Sequence, residues 1–384
     1  MLGNLLSETV EKLPAKPRPS AKKVTAPARP PKPTGDRALV VVSGDPLDVI
    51  NEMSSGMAVK FSGTRLFHHG DHISELVTAD RKPARLEPVD SGRFGDVLQQ
   101  AVQTVREVVG RDGSVSYAPA WPDQKAMAAV LRRVEAFAPL TRLATAPFVR
   151  ADGTVVTEPG YDPDSEVMLM PDEELAGLEI PEHPSTEEVA TARKLILEDW
   201  LGTSVRDPGG PRQRAGADPS PTVRGLVDVV PLAVLDGSRM GVGKGKVVET
   251  MLWVYTGRSA PLTSMPENEE LRKKITASFR EGRQFMIFDE AHTVEGEALA
   301  QALTASIWED RILGVSKNGT FPNTATWVSL GNNVEVKGDI TRRAYRISLS
   351  RITTTRRTVR RTASVTRTWS GGSGRTGASC WRPC

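Results

Sequence analysis

Short apolar runs punctuate the second half of the chain. Leu232-Ala-Val-Leu235, Phe285-Met-Ile-Phe288, Thr326-Trp-Val-Ser-Leu330 and Tyr345-Arg-Ile-Ser-Leu349 predict four strands. Such runs fit strands buried on both faces. Between them, helical spacing predicts helices over Lys246–Val254, Glu267–Glu281 and about Glu297–Ile307. Strand, turn and helix repeated in this way predict a parallel sheet covered by helices.

The first half is less regular. Ala38–Val42 predicts a buried strand, Asp48–Met53 a helix, and the alternation around Ala58–Phe67 small strands. Phe94, Val97, Leu98, Val102, Val105 and Val109 recur at mostly three- and four-residue steps, predicting one amphipathic helix over Phe94–Val109. Asp123, after Pro122, is placed to cap a helix running to Phe137. Asp152-Gly153, between Phe148-Val-Arg and Thr154-Val-Val, predicts a β-hairpin, because Asp-Gly supplies left-handed turn geometry. A further helix is predicted over Glu187–Trp200.

Composition divides this picture further. The 384 residues are 39% hydrophobic and 25% charged, enough for about two domains with cores of their own. No run of eighteen or more apolar residues occurs, and the N-terminus lacks an apolar signal core, so the expected compartment is the cytoplasm, with no membrane partner. The two cysteines, Cys380 and Cys384, leave the body without a thiol-built zinc site. The net charge of +3 hides an uneven distribution: +5 over residues 1–37, +8 over 351–384, and −10 over the body between them. Basic tails carry the excess, so the charge gives little weight to nucleic-acid binding by the body.

The expected organisation follows. Residues 1–37 form a disordered, Pro-rich basic leader, and 38–201 an α+β domain. Residues 202–222 form a Gly/Pro/Arg-rich linker, 223–350 an α/β core, and 351–384 a disordered Arg/Thr/Ser tail. The tail has no acid, and the expectation is that it is translated out of frame. Read two nucleotides out of step from the Ala363 codon, GC-rich codons permit a peptide with the apolar spacing of an amphipathic helix. Residues 212–221 permit a similar but less constrained reading from the Arg212 codon. The alternative for both stretches is an ordinary flexible linker and a basic tail.

The chemistry gathers around one turn. Asp236-Gly-Ser-Arg-Met-Gly-Val-Gly-Lys-Gly245 lies between a buried strand and a helix. A phosphate loop needs that context: glycines let backbone N–H groups converge on phosphate oxygens, and one lysine reaches the outer phosphates. Gly241, Val242, Gly243, Lys244 and Gly245 are the candidate nucleotide-binding residues. Two positions depart from the pattern: Ser238 stands where the first glycine belongs, and Gly245 replaces the hydroxyl that meets magnesium. A glycine-rich turn with a surface lysine is the simpler alternative. Asp289 and Glu290 end the second apolar run, where acids serve Mg²⁺ and the attacking water. Asn332 ends the third run and is placed to position water near a γ-phosphate. Arg342, Arg343 and Arg311 are candidates for stabilising transition-state charge across a subunit boundary. A solvated pair is the alternative for Arg342 and Arg343. His68-His69-Gly-Asp-His72 is a poor metal cluster, since adjacent histidines on a strand face opposite ways.

Taken in order, several segments form a recognisable set. They are Gly-Val-Gly-Lys244, Glu270-Leu-Arg-Lys273, Phe279-Arg-Glu-Gly282, the Asp289 strand, Leu303–Gly314, Gly331-Asn-Asn333 and Gly338-Asp-Ile-Thr-Arg-Arg343. This set resembles the ATPase part of the primase/helicase-like proteins of phages, plasmids and integrative elements, which are related to AAA+ hexameric helicases. Ala146–Gly153 and Glu158–Asp162 resemble the segment preceding that ATPase. The resemblance spans about 120–350. It implies a P-loop NTPase fold, ATP and Mg²⁺ as cofactors, single-stranded DNA as partner, a hexameric ring of identical subunits, and work in the replication of a mobile element. It supplies no primase site. The four letters Asp289-Glu-Ala-His292 spell the box of another helicase superfamily whose other motifs do not follow, so His292 is expected to be structural. Two alternatives stay open: a non-hydrolysing remnant that binds nucleotide or DNA, and an AAA+ switch ATPase acting on protein.

Overall fold

A computed structural model describes residues 29–196 and 221–349, except 80, 81, 174, 176, 182, 260, 261 and 314–316. Most of the leader, the 202–220 stretch and the 351–384 tail therefore lie outside the described residues, as does the question of their reading frame.

The first half holds β1 (Ala38–Val41), α1 (Pro46–Phe61), β2 (Leu66–His69), β3 (His72–Ala79) and β4 (Lys82–Pro88). It continues with α2 (Ser91–Ala101), β5 (Val102–Val109), β6 (Val115–Pro119) and α3 (Gln124–Leu131). Five short strands follow: β7 (Arg142–Ala144), β8 (Phe148–Val149), β9 (Val155–Val156), β10 (Gly160–Asp162) and β11 (Val167–Leu169). Helix α4 (Thr186–Lys194) completes this half. This half has three small sheets, β1-β5-β6, β2-β3-β4 and β10-β11-β7, and the β8–β9 hairpin; helices α1–α3 share one core with β1 and β5. The hairpin turns at Gly153 with φ +89°, as its Asp-Gly pair predicts.

Three expectations are corrected here. Ala58–Phe61 is helical, because Met53, Met57 and Phe61 fall one turn apart and are all buried against β1, β5 and α2. The predicted Phe94–Val109 helix ends at Ala101 and continues as β5. Five of the eight β5 residues are β-branched, and Val102 to Val105 pair in parallel with Ala38 to Val41. Val102 and Val105 satisfy both periods, and the pairing with β1 decides for the strand. The helix capped by Asp123 stops at Leu131 and is followed by a short 3-10 turn, well before Phe137.

The second half holds β12 (Leu232–Gly237), α5 (Lys244–Thr256), β13 (Thr263–Ser264), α6 (Asn268–Arg280), β14 (Phe285–Asp289) and β15 (Thr293–Val294). Then come α7 (Glu297–Ala302), β16 (Ile307–Arg311), β17 (Asn318–Pro322), β18 (Thr326–Asn332), β19 (Glu335–Val336) and β20 (Ala344–Leu349). Five strands form one parallel sheet in the order β13-β14-β18-β12-β20. Alternate residues of the sheet enter two cores. Leu232, Val234, Met286, Phe288 and Trp327 pack with Leu271, Ile275 and Phe279 of α6. Ala233, Leu235, Ile287, Val328 and Leu330 pack with Val248, Met251 and Leu252 of α5 on the other face. This is why the strands read as continuous apolar runs.

The predicted Glu297–Ile307 helix is shorter: α7 stops at Ala302, and Ile307–Arg311 forms a hairpin with Asn318–Pro322. Its exposure alternates, Trp308 being buried and Ile307 exposed, and Trp308 Nε1 donates to Thr276 Oγ1 at 2.9 Å.

The histidine run joins the two halves. Buried His69 places Nδ1 2.7 Å from the Leu140 carbonyl and Nε2 2.9 Å from the Phe279 carbonyl. Burial pushes its pKa below the usual histidine range. His72 stacks on Phe321 of β17, ring centroids 6.0 Å apart, and Asp71 pairs with Lys317 at 2.8 Å. These side chains serve packing between the halves. Among the described residues no helix is long and apolar enough to cross a membrane.

Candidate functional site

The parallel order puts three sequence motifs side by side at the carboxyl end of the sheet. Strand β18 lies between β12 and β14, pairing Gly237 with Asn332 on one side and Phe288 with Ser329 on the other. The chain runs outward from β12 to β13 and returns past it to β20, so the turn after β12 opens at a topological switch point. Ligands of open α/β sheets bind at such points, beyond the carboxyl ends of the strands.

The turn after β12 is shaped as its glycines predict. Gly241 has φ +77°, and Gly243, with φ +96°, is the residue from which α5 departs. The first N–H groups of a helix are unpaired and point out past its N-terminus, where an anion is favoured. Lys244 is the first residue of α5, and its Nζ donates to Asn332 Oδ1 at 2.5 Å. Residues 88 apart in sequence thus meet over the mouth of the turn. Gly241, Val242, Gly243, Lys244 and Gly245 line one wall of a cavity of about 660 Å³, and Val248, Leu252, Leu262 and Leu330 give it an apolar side. That volume accommodates a nucleotide-sized ligand.

No family model matches the chain, and no curated protein matches it. Similar solved structures include two A-form apo structures of the NrS-1 C-terminal region. The first is 14% identical over 70% of this chain and 64% of that one, with a TM-score of 0.30. The second, spanning its residues 305–718, is 12% identical over 68% and 62%, with a TM-score of 0.28. The chain therefore spans less than two thirds of either. Likeness at this level decides nothing about function, and the site is read from its own geometry.

Asp289 ends β14 next to β18, about 10 Å from β12 at two inter-strand spacings. Its Oδ1 accepts the Glu290 N–H at 2.8 Å, which leaves Oδ2 uncommitted by that bond. Glu290 is exposed and has φ +55°, an uncommon conformation for a residue with a long side chain. Gly331 explains how these acids come so near the turn. A Cβ there would stand 1.9 Å from the Ala291 carbonyl oxygen, so β18 and the segment after β14 approach as closely as only glycine permits.

A second clasp at this end has no counterpart among the sequence motifs. Asp236 accepts the Val334 N–H at 3.0 Å and pairs with Arg346 at 3.2 Å, while Arg346 also donates to the Val334 carbonyl. Asp236 and Arg346 therefore hold β12, β20 and the segment after Asn332 in register. An acid near the end of β12 and an arginine in mid-β20, 110 residues apart, carry no local signal of each other.

The three arginine candidates are not brought to this site. Arg343 donates to the Ala300 carbonyl at 3.1 Å, and its own carbonyl accepts the Leu232 N–H at the opposite end of the sheet. Arg342, beside it, is 79% exposed, with Asp339 three residues back as its salt-bridge partner. Arg311 is exposed near the free end of the β16–β17 hairpin. His292 is exposed, and its carbonyl accepts the Glu335 N–H at 2.9 Å.

Proposed function

We propose that the chain binds ATP with Mg²⁺ at the β12–α5 turn and hydrolyses it in work on DNA, as a P-loop ATPase of helicase type. The observation that carries this reading is the Lys244–Asn332 hydrogen bond at the start of α5. A lysine from the start of α5 and an asparagine from the end of the adjacent strand β18 converge where a terminal phosphate would sit. Lys244 and the N–H groups that open α5 would hold the phosphates, and Asn332, released from Lys244, would face the outer one. The uncommitted oxygen of Asp289 fits a metal ligand, and Glu290 is free to orient water. Mg²⁺, when bound, supplies charge neutralisation on the phosphate oxygens. The chain, as a ring of identical subunits acting on single-stranded DNA, would draw Arg342 from a neighbour.

Gly245 favours the second reading, a nucleotide binder that does not turn over, because it offers the metal no hydroxyl. A Cβ at Gly245 would meet nothing within 4 Å, so a hydroxyl-bearing side chain fits without repacking. Gly245→Thr is expected to tighten Mg-ATP binding about fivefold while leaving metal-free ATP unchanged, as one added polar contact of about 1 kcal/mol implies. Titration with and without Mg²⁺ measures it.

Steady-state ATP turnover, with and without single-stranded DNA, tests the function itself. The proposal expects turnover raised by DNA. Turnover indifferent to DNA would point to a switch acting on protein, and binding without turnover to the remnant.

A further inference from the structure

At the other end of the sheet lies a second cavity of about 380 Å³, lined by residues of both halves, among them Arg142, Phe148, Arg150, Arg224, Ser306 and Asn323. Strand β12 runs between the two ends, so this cavity is roughly 20 Å from the β12–α5 turn. Two of its arginines are buried, each 4% exposed, and neither forms a salt bridge with any described carboxylate. Arg224 is held by four carbonyls, those of Val227, Asp228, Asn323 and Ala325, at 2.5–3.2 Å. Arg142 has one such partner, the Pro221 carbonyl at 3.3 Å, and its guanidinium lies over the Phe148 ring at 5.1 Å. Its Nη2 has no hydrogen-bond partner among the described residues. The other charges facing the cavity do not answer it. Asp164 is taken by Arg150, as is Asp162 behind it, and Asp228, exposed at the rim, bonds Arg224 through its backbone oxygen.

A buried guanidinium without a salt-bridge partner is costly, several kcal/mol before compensation; Arg224 has the carboxylate of Asp228 nearby, whereas Arg142 has no described acid beside it. Burial and the nearby Arg224 push the Arg142 pKa down to about 10, which still leaves it charged at neutral pH. Asn323, which also lines the cavity, is an orphan of the opposite kind: its buried Oδ1 accepts from no described residue, while its Nδ2 donates to the Ala302 and Ala305 carbonyls. A ligand that satisfies both must carry an anionic acceptor and an O–H or N–H donor. Hydrogen phosphate and a nucleoside phosphate have both, and the phosphoryl oxygens suit the fork of a guanidinium.

We propose that this cavity is a second binding site, for the phosphoryl group of a small molecule of nucleoside monophosphate size. Arg142 Nη2 grips the phosphoryl oxygens, Arg224 contributes charge from a fixed position, and Asn323 Oδ1 accepts from the ligand. The volume exceeds what orthophosphate fills and leaves room for a nucleoside beside Phe148. The site is independent of the ATP reading, since it shares no residue with the β12–α5 turn.

The test uses the full chain carrying Lys244→Ala, titrated calorimetrically with AMP, pyrophosphate and orthophosphate. AMP is expected to bind, and adding Arg142→Met is expected to weaken it at least about tenfold through the lost charge-assisted contact. Without ligand, Arg142→Met should melt at the same or a higher temperature, because it removes an unpaired buried charge. A purely structural arginine would lower it. If orthophosphate binds as tightly as AMP and is lost with Arg142→Met, the ligand is the free anion. Should Arg142→Met fail to fold, Gly225→Val takes its place. A Cβ at Gly225 stands 3.6 Å from Arg142 Nη2 and would crowd the cavity with Arg142 retained. No binding of any of the three, or binding unchanged by the available variant, overturns the proposal.

Discussion

Arg342→Ala is expected to leave ATP binding intact and to lower turnover by about 10³–10⁵, the worth of an arginine donated across a subunit boundary. Arg342 is 79% exposed, and its ion pair with Asp339 is of the surface kind that contributes little. It lies beside Arg343, whose carbonyl bonds Leu232 at the amino end of β12, so within its own chain it is far from the turn after that strand. Mixing Arg342→Ala with Lys244→Ala subunits should restore part of the activity, since one class of mixed interface pairs an intact turn with an intact arginine. If co-assembled mixtures recover nothing, the arginine does not act between subunits. Arg343 serves differently: its bond to the Ala300 carbonyl ties α7 to the start of β20, so Arg343→Ala should lower the melting temperature.

Glu290→Gln is the second large effect. The substitution preserves shape and hydrogen bonding but removes the carboxylate that would orient water, so turnover should fall about 10²–10⁴ with ATP affinity unchanged. Single-turnover and binding measurements on the same protein separate the two. Parallel loss of binding would make Glu290 a structural residue of the bend after β14, where it holds φ +55°.

The sheet strands were legible because burial on both faces removes the polar alternation that blurs most strands. The glycine turn was legible because Gly243 and Lys244 leave a buried strand and start a helix. Asn332 was legible as a strand-end polar residue, yet its bond to Lys244 follows from strand order, which no local pattern encodes. Val102 and Val105 misled because their three-residue step fits a helix face, while pairing with β1 settles the strand. Trp308 misled for a related reason: its partner Phe279 is 29 residues away in sequence, so the hairpin carries little local signature. Arg142 and Arg224 had no signal, since nothing near either in sequence marks it as buried without a salt-bridge partner.

The central claim is that the β12–α5 turn is the nucleotide site, and Mg-ATP titration of Lys244→Ala against the unaltered chain tests it most directly. Both titrations belong in the Arg142→Met background, so that the second cavity cannot stand in for the first. Losing the Lys244 ammonium, which reaches Asn332 over the mouth of the turn, is expected to weaken binding by at least about 100-fold. Affinity unchanged in Lys244→Ala would contradict the account and move the nucleotide elsewhere.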